Sequence, residues 1–399
     1  MANILLFTPD LCINGYNPRG FSGFCFIVGE LASELNDIAN IEVFPQHALL
    51  KKDDEKLSKI AKFKMSSFKF SFIPNIYFTL KGMFFVYDLH IFRIRHTLKI
   101  LYLFSQIGRM TKYLKSSDVQ IVNIHGATTD SYPFYIASKI AKRKVVVTLH
   151  GLNSYSDTIV CDRFEKGFER FFISKLYVNG DNISVISSGI KNKISDLFPD
   201  ESRIAVIPNG SSLSRMSDNK KDENSDCKLV TIVGTINANK NQIALVNALN
   251  RNTSFDFGHK VSFVFIGGGN TYMIQGTSIG MNYDVKITGL LSQRELVSYY
   301  RRASLNILLS FEEGFGLPVI ESGMFGIPTL CYDSIDALLD LYDPNCIELL
   351  HERSDISLLC GIKKALNKTW NNEYIKKYYK KFSLENMALM YKGLYSSIL

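Results

Sequence analysis

Two glutamates separated by seven residues, Glu313 and Glu321, frame the stretch EGFGLPVIE. The glycines between them, Gly314 and Gly316, permit the main chain to approach a ligand closely. A carboxylate accepts hydrogen bonds from hydroxyl groups, and a ribose diol offers two of them. The stretch therefore indicates a site for a hydroxyl-rich ligand, with Glu321 on the hydroxyls and Glu313 nearer the reacting end.

The same stretch lies where a predicted strand gives way to a predicted helix. The apolar run 305–309 indicates a buried strand, and Pro318 is a favoured residue in the first turn of a helix. A helix start beyond a strand end offers unpaired N–H groups and a positive dipole end, which suit a phosphate group. This position is occupied by Gly314, Phe315, Gly316 and Leu317.

Two histidines also follow apolar runs. His150 comes directly after the run 145–149, and His125 comes directly after the run 121–124. The carboxyl ends of parallel strands open into the ligand crevice, so we expect a site role for His150 and consider one for His125. The alternative for each is a structural histidine.

The elements that would position these residues alternate along the whole chain. Amphipathic segments that favour helices, such as 24–35, 242–249, 293–302 and 318–325, lie between short apolar runs. This alternation predicts the α/β class, with parallel sheets that are covered by helices. The predicted strands are 4–8, 41–44, 121–124, 145–149, 183–186, 204–207, 230–233, 261–266, 285–288, 305–309 and 329–332.

A polar, charged stretch, 211–228, divides the 399 residues into two such series. It follows the turn signal Ile-Pro-Asn-Gly at 207–210. We therefore predict two doubly wound, Rossmann-like domains that face each other across a cleft. The N-terminal domain covers 1–210 and the C-terminal domain covers 211–382, while a helix over 383–399 packs back on the first domain.

Cysteines and apolar runs indicate a cytoplasmic protein. The seven cysteines are scattered and include no C-x-x-C pair, which argues for reduced thiols and against a zinc site. The N-terminus MANILLFTPD lacks the basic residues of a signal peptide, and no run is long and apolar enough to span a membrane.

The net charge of +8 is concentrated in residues 51–115, which hold 14 Lys and Arg against 4 Asp and Glu. Thirteen Phe and Tyr are interleaved with these charges. Basic and aromatic residues together suit the anionic surface of a membrane, so we predict peripheral attachment through this segment. The alternative is a solvated basic helix face above buried aromatics. A nucleic acid would also suit the charge, and we do not expect one as a partner.

Several segments resemble one enzyme family. Glu313-x7-Glu321 resembles the E-x7-E signature of retaining glycosyltransferases of family 4, which have the GT-B fold. Four further segments agree in order and spacing: VVTLHG at 146–151, VIPNG at 206–210, IVGTINANKN at 232–241 and ITGLLSQREL at 287–296. The resemblance extends over most of the chain.

The resemblance implies roles for residues of the C-terminal domain. Glu321 would hold the donor ribose, while Glu313 and the backbone from Gly314 to Leu317 would hold the transferred sugar and the diphosphate. Lys240 would neutralise the departing diphosphate as a point charge. The remaining donor-binding residues implied by the resemblance are Gly234, Thr235 and Gly289, the last of these near the base. Thr235 departs from the arginine of many relatives, and Arg294 is a candidate replacement.

The resemblance also implies roles in the N-terminal domain. His150 would hydrogen-bond the donor sugar from the opposite domain. Ser22 and Gly23 correspond to the family's glycine-rich loop, which usually has two adjacent glycines, and would contact the diphosphate or the acceptor.

We therefore expect a retaining glycosyltransferase that moves a sugar from a nucleotide-diphosphate donor to a saccharide acceptor, such as a lipid-linked polysaccharide precursor. No Asp-x-Asp motif follows a predicted strand, so no metal is expected, and no other cofactor is expected. The alternatives are a non-catalytic GT-B subunit, a nucleotide-sugar epimerase and a basic nucleic-acid-binding protein.

Overall fold

The computed structural model describes residues 1–8, 11–12, 23–45, 60–65, 75–88, 94–156, 163–216, 227–274 and 283–399. These residues form two compact units. Unit 1 comprises Met1–Pro208 together with Glu385–Leu399, and unit 2 comprises Asn209–Leu384. Each unit contains a parallel sheet with helices, so the predicted α/β class is confirmed.

Apart from the short edge strand β3, the unit 1 sheet is built from mainly apolar segments that are largely buried, as parallel strands covered on both faces require. Its described strands are β1 (Asn3–Thr8), β2 (Asn40–Pro45), β3 (Lys64–Met65), β4 (Ile121–His125), β5 (Lys144–Leu149), β6 (Asn182–Val185) and β7 (Ile204–Val206). They pair in parallel in the order β3-β2-β1-β4-β5-β6-β7. Because β4 and β5 are neighbours, their carboxyl ends bring His125 and the residue after Leu149 together.

Helices connect these strands. They are α1 (Gly23–Leu35), α2 (Ile76–Asp88), α3 (Ile94–Ser105), α4 (Ile107–Ser116), α5 (Tyr132–Ile140), α6 (Arg163–Val178) and α7 (Ser188–Lys193). Aromatic rings fill part of the core beneath them: the Phe134 ring centroid lies 4.3 Å from that of Phe7 and 5.2 Å from that of Phe44.

The unit 2 sheet has the same doubly wound organisation. Its described strands are β8 (Cys227–Val233), β9 (Lys260–Ile266), β10 (Tyr283–Gly289), β11 (Ala303–Leu308), β12 (Thr329–Tyr332) and β13 (Ile347–Leu350). They pair in parallel in the order β10-β9-β8-β11-β12-β13. The strand order reverses between β8 and β11, which is the point where ligands bind in open α/β sheets.

The unit 2 helices begin at polar capping residues in several places. A capping box joins Ser292 and Glu295 at the start of one helix, and Ser354 and Asn371 cap two others. The helices are α8 (Gln242–Arg251), α9 (Gln293–Arg302), α10 (Leu317–Met324), α11 (Leu338–Leu341), α12 (Asp355–Asn367) and α13 (Asn372–Tyr379).

The last helix, α14 (Leu384–Ile398), follows unit 2 in the chain, and its residues from Glu385 onward belong to unit 1. Two of its tyrosines enter a buried polar network on the unit 1 sheet. The Tyr395 hydroxyl accepts from Asn123 Nδ2 at 2.8 Å, and the Tyr391 hydroxyl accepts from Ser184 Oγ at 3.2 Å. These bonds satisfy polar groups that would otherwise be costly to bury.

Two of the described strands lie outside the predicted set. β3 has only two residues, Lys64 and Met65, so it carries no apolar run. β13 contains the buried residue Glu348. Its carboxylate pairs with Lys364 of α12 and with Lys368, the residue that follows this helix. A charge in a short strand masks the strand pattern, and its neutralisation depends on contacts that are distant in sequence.

Candidate active site

The loops that follow β8 and β11 meet at the switch point of the unit 2 sheet. Asn239 joins them through three hydrogen bonds. Its carbonyl oxygen accepts from the Phe311 amide at 2.9 Å, its Oδ1 accepts from the Glu312 amide at 3.0 Å, and its Nδ2 donates to the Glu312 carbonyl at 3.0 Å. These bonds place the next residues along the two loops, Lys240 and Glu313, beside each other.

Lys240 and Glu313 form an ion pair between Nζ and Oε1. The same carboxylate oxygen accepts a hydrogen bond from Ser310 Oγ at 2.5 Å. The Glu313 side chain is 8% exposed and the Lys240 side chain is 21% exposed. A nearly buried carboxylate requires such partners. The fold thus unites two of the predicted site residues although 73 positions separate them.

Three glycines lie side by side at the carboxyl ends of β8, β9 and β10. The Gly234 amide donates to the Ile266 carbonyl at 2.9 Å, and the Gly267 amide donates to the Gly289 carbonyl at 2.9 Å. A Cβ on Gly267 would lie 2.1 Å from the Gly234 carbonyl oxygen. The main chains approach so closely that only glycine fits there.

Thr235, the residue after Gly234, is exposed. It carries no charge, although many members of the family that the sequence resembles have an arginine at this position. Gln242, at the start of α8, supports this loop: its Nε2 donates to the Thr235 carbonyl at 3.1 Å. Lys240 is held by its own amide, which donates to Asn237 Oδ1 at 2.8 Å. Arg294 is exposed in the first turn of α9.

The glycine loop between the two glutamates opens α10. Gly316 has φ +92°, a left-handed conformation that favours glycine, and it directly precedes the helix. Phe315 is buried, and its ring centroid lies 5.6 Å from that of Phe382. The buried Phe315 ring anchors the loop. The backbone from Gly314 to Leu317 lies at the helix start, as predicted, and N–H groups in such a position suit an anion.

Glu321 is the fifth residue of α10 and is half-buried. Its Oε2 accepts a hydrogen bond from the Tyr300 hydroxyl at 3.2 Å. Burial, followed by the nearby Glu321 carboxylate, raises the pKa of Tyr300 well above its usual value. Tyr300 therefore stays a neutral donor that orients Glu321.

In unit 1, the predicted histidines contact each other. His125 Nδ1 and His150 Nε2 lie 2.9 Å apart, so one of the two nitrogens carries a proton and donates a hydrogen bond to the other. Burial lowers the pKa of His150 to about 3, and burial together with His150 lowers the pKa of His125 well below its usual value. Both imidazoles are neutral at physiological pH and offer hydrogen bonds without charge.

The predicted loop contact at Ser22 lies outside the described residues. Gly23 is the first residue of α1.

Sequence reasoning missed the residues that support the predicted ones: Asn239, Ser310, Tyr300 and Gln242. Asn239 directly precedes Lys240, and Ser310 lies three residues before Glu313. Their closeness in sequence to predicted site residues could have indicated a supporting role. Tyr300 and Gln242 lie in helices, and only the packing shows what their polar atoms contact.

Among the described residues, no three His, Cys, Asp or Glu side chains group as metal ligands do. Within the same part of the chain, no helix has the length and apolar character required to cross a bilayer.

Two protein families match the sequence. The family described as glycosyl transferases group 1 matches residues 215–382, and the family described as glycosyltransferase family 4 matches residues 74–215. The chain is a GT-B glycosyltransferase of group 1. This glycosyltransferase is therefore an enzyme, and the predicted GT-B glycosyltransferase family is confirmed, whereas retention at the anomeric carbon stays a prediction.

Curated relatives of this glycosyltransferase are distant. An uncharacterized glycosyltransferase of Methanocaldococcus jannaschii is 24% identical over 71% of this chain and 77% of that protein. The putative teichuronic acid biosynthesis glycosyltransferase TuaC of Bacillus subtilis is 24% identical over 56% of each chain.

Solved structures confirm the GT-B fold of the glycosyltransferase. A glycosyltransferase from Rickettsia africae has a TM-score of 0.72 at 17% identity and covers 100% of this chain and 98% of its own. The lipopolysaccharide outer core galactosyltransferase WaaB has a TM-score of 0.69 at 15% identity over 100% of both chains. HepE from Anabaena, solved with UDP and glucose, has a TM-score of 0.67 at 13% identity over 100% of both chains.

Proposed function

We propose that this glycosyltransferase takes a sugar from a nucleotide-diphosphate donor and transfers it to a saccharide acceptor with retention at the anomeric carbon. The observation that carries the proposal is the cluster of Lys240, Glu313 and Ser310 beside the glycine-rich strand ends. It combines a cation, a nearly buried carboxylate and the start of a helix at the ligand-binding edge of a doubly wound sheet.

In the proposed reaction, the bond between the anomeric carbon and the donor phosphate oxygen breaks, and its electron pair leaves with the nucleoside diphosphate. The acceptor hydroxyl oxygen bonds to the same face of that carbon, and its proton passes to the departing phosphate oxygen. Lys240 and the helix-start N–H groups stabilise the charge on the diphosphate. Glu313 stabilises positive charge on the sugar, and Glu321 holds the ribose.

The proposal requires no metal ion, because Lys240 and the main-chain donors offset the charge of the leaving group. The rate of transfer is therefore expected to be unchanged by a chelator such as EDTA. His150, to which the resemblance assigns a contact with the donor sugar, is neutral and can offer a hydrogen bond to a hydroxyl.

The donor site is tested by calorimetric titration with UDP, GDP and ADP. One nucleotide should bind, and Lys240→Ala and Glu321→Gln should each weaken its binding tenfold or more (about 1.4 kcal/mol). Lys377→Ala removes an exposed lysine of α13 and is the matched control. Absence of binding by every nucleotide to the folded protein would contradict the proposal. The base that binds then selects the nucleotide sugars for assay, and NMR of the product tests retention.

A lipid-linked saccharide is the proposed acceptor class. The relative from Bacillus subtilis is named for teichuronic acid biosynthesis, and the structural neighbour WaaB is a lipopolysaccharide galactosyltransferase. The first name refers to an acidic polysaccharide and the second to a saccharide that is linked to a lipid, which supports an acceptor of that kind.

Peripheral attachment to the cytoplasmic face of an anionic membrane is proposed through α2 and its neighbours. The structure describes the basic segment 51–115 over 60–65, 75–88 and 94–115. On α2, five apolar side chains are between 49% and 74% exposed, namely Ile76, Tyr77, Leu80, Met83 and Phe84. Apolar side chains on a basic surface suit an anionic headgroup layer, to which each nearby Lys or Arg adds about 1 kcal/mol.

Flotation with vesicles of phosphatidylcholine, with and without phosphatidylglycerol, tests the membrane proposal. Binding should require the anionic lipid, weaken as salt rises, and fall in a Phe84→Ser variant. Tyr272→Ser alters an aromatic residue of unit 2 that is 81% exposed and serves as the control. Flotation that is independent of anionic lipid and salt would exclude this attachment.

A further inference from the structure

Arg353 follows β13 and reaches the loop that carries Glu313. Its Nη1 donates to the Leu309 carbonyl at 3.3 Å, and its Nη2 donates to the Ser310 carbonyl at 3.1 Å. The planar guanidinium thus binds two consecutive carbonyl groups just beyond the end of β11. A lysine ammonium cannot reproduce this fork.

The guanidinium also packs against two aromatic rings. Its Cζ lies 4.0 Å from the Tyr332 ring centroid and 4.5 Å from the Phe311 ring centroid. Tyr332 ends β12, and Phe311 belongs to the loop itself, so Arg353 ties the loop to the neighbouring strand. Nη2 additionally donates to Ser334 Oγ at 3.2 Å, beyond the end of β12.

The loop is therefore held from both sides. Asn239 bonds the main chain of Phe311 and Glu312 from the β8 side. Arg353 bonds Ser310 from the β13 side, and Ser310 in turn donates to the Glu313 carboxylate at 2.5 Å. A displacement of the Ser310 main chain would carry its hydroxyl away from Glu313.

We propose that Arg353 is a positioning residue, which places Glu313 for glycosyl transfer by fixing the main chain of Leu309 and Ser310. The inference rests on the proposed role of Glu313 in the transfer reaction. A loosened Glu313 loses its alignment with the reacting carbon, where small displacements lower the rate strongly. The proposed function assigns the diphosphate to Lys240 and the α10 start and not to Arg353, so nucleotide binding should change little.

The test compares Arg353→Lys and Arg353→Gln with the wild-type protein, after Trp370 fluorescence and circular dichroism have verified their fold. We expect kcat to fall tenfold or more, while the donor KM and the nucleotide Kd stay within threefold of wild type. Hydrogen–deuterium exchange in the peptide 309–313 should rise in both variants, because the loop loses its anchor on one side.

Arg302→Lys is the matched control. The Arg302 Cζ lies 5.1 Å from the Tyr299 ring centroid, and its Nε donates to the Ser298 carbonyl at 3.0 Å. Arg302 therefore contacts a ring and a main-chain carbonyl as Arg353 does, but it directly precedes β11, at the end opposite the loop. This variant should leave kcat and loop exchange unchanged.

Each outcome decides between the two proposals. If the wild-type protein transfers sugar and Arg353→Lys retains kcat within twofold, the positioning role is overturned. It is also overturned if kcat and nucleotide affinity fall by the same factor while hydrogen–deuterium exchange of the loop stays at the wild-type level. If the wild-type protein turns over no nucleotide sugar, the proposed function fails, and unchanged exchange in the variants would then separately refute the anchoring by Arg353.

Discussion

The ion pair between Lys240 and Glu313 should appear as a coupling energy in a double-mutant cycle. The cycle consists of Lys240→Met, which keeps the apolar stem, Glu313→Gln, which keeps the shape, and the double variant. Because the two side chains are paired, the double variant should lose less stability than the sum of the single losses.

The expected sizes follow from burial and partners. Removal of one partner of a fully buried pair costs about 3–5 kcal/mol, because the other charge is left unpaired. The Lys240 side chain is 21% exposed and Glu313 keeps its bond from Ser310, so water and hydroxyl offset part of that loss. We expect Lys240→Met to cost about 2 kcal/mol and Glu313→Gln about 1 kcal/mol, with a coupling energy of about 1–2 kcal/mol.

The single tryptophan of the chain, Trp370, provides the assay. It lies in unit 2, where its Nε1 donates to the Ala365 carbonyl at 2.9 Å, so its fluorescence follows the unfolding of that unit. Urea titrations of the four proteins give the unfolding free energies by linear extrapolation. Losses that add to within about 0.5 kcal/mol would refute the pair, because independent sites behave in that way.

Three further changes have defined outcomes. Gly267→Ala should destabilise unit 2 by more than about 2 kcal/mol in the same urea assay, because its Cβ would lie 2.1 Å from the Gly234 carbonyl oxygen and the main chain cannot yield. Tyr300→Phe should cost about 1 kcal/mol of stability through the lost bond to Glu321, and calorimetry should show weaker nucleotide binding; unaltered binding would remove Glu321 from the donor site. Folding lowers the pKa of His150 from 6.5 to about 3, so between these two pH values the unfolded chain binds one more proton than the folded chain. Stability is therefore complete above that pH and falls by about 1.4 kcal/mol per pH unit as the pH drops toward 3. Thermal melts followed by circular dichroism should show that the stability of His150→Asn depends less steeply on pH than that of the wild-type protein. Identical pH profiles would contradict the burial of a neutral imidazole.

Much of the fold follows from local patterns in the sequence. The eleven predicted apolar runs all correspond to strands, because a strand buried on both faces needs an almost continuous apolar segment. Pro318 and the glycines before it mark the start of α10 for reasons of backbone conformation alone. These preferences act within a few residues, so they are legible without a structure.

The placement of predicted site residues at strand ends follows from the same patterns. Parallel strands bring their carboxyl ends to one edge, which accounts for His125 beside His150 and for Gly234 beside Gly267. Which loops become neighbours depends on strand order, and several orders are compatible with one pattern of strands and helices.

By itself, the sequence determined the α/β class, the positions of all described strands except β3 and β13, and the loops that carry Glu313, Glu321 and Lys240. Only the tertiary structure decided that Lys240 pairs with Glu313 and that Arg353 binds the main chain beside Ser310. The physical reason is that polar contacts across the sheet join residues tens of positions apart and leave no periodic signal. Their strength depends on burial and on exact partners, which only a completed fold supplies.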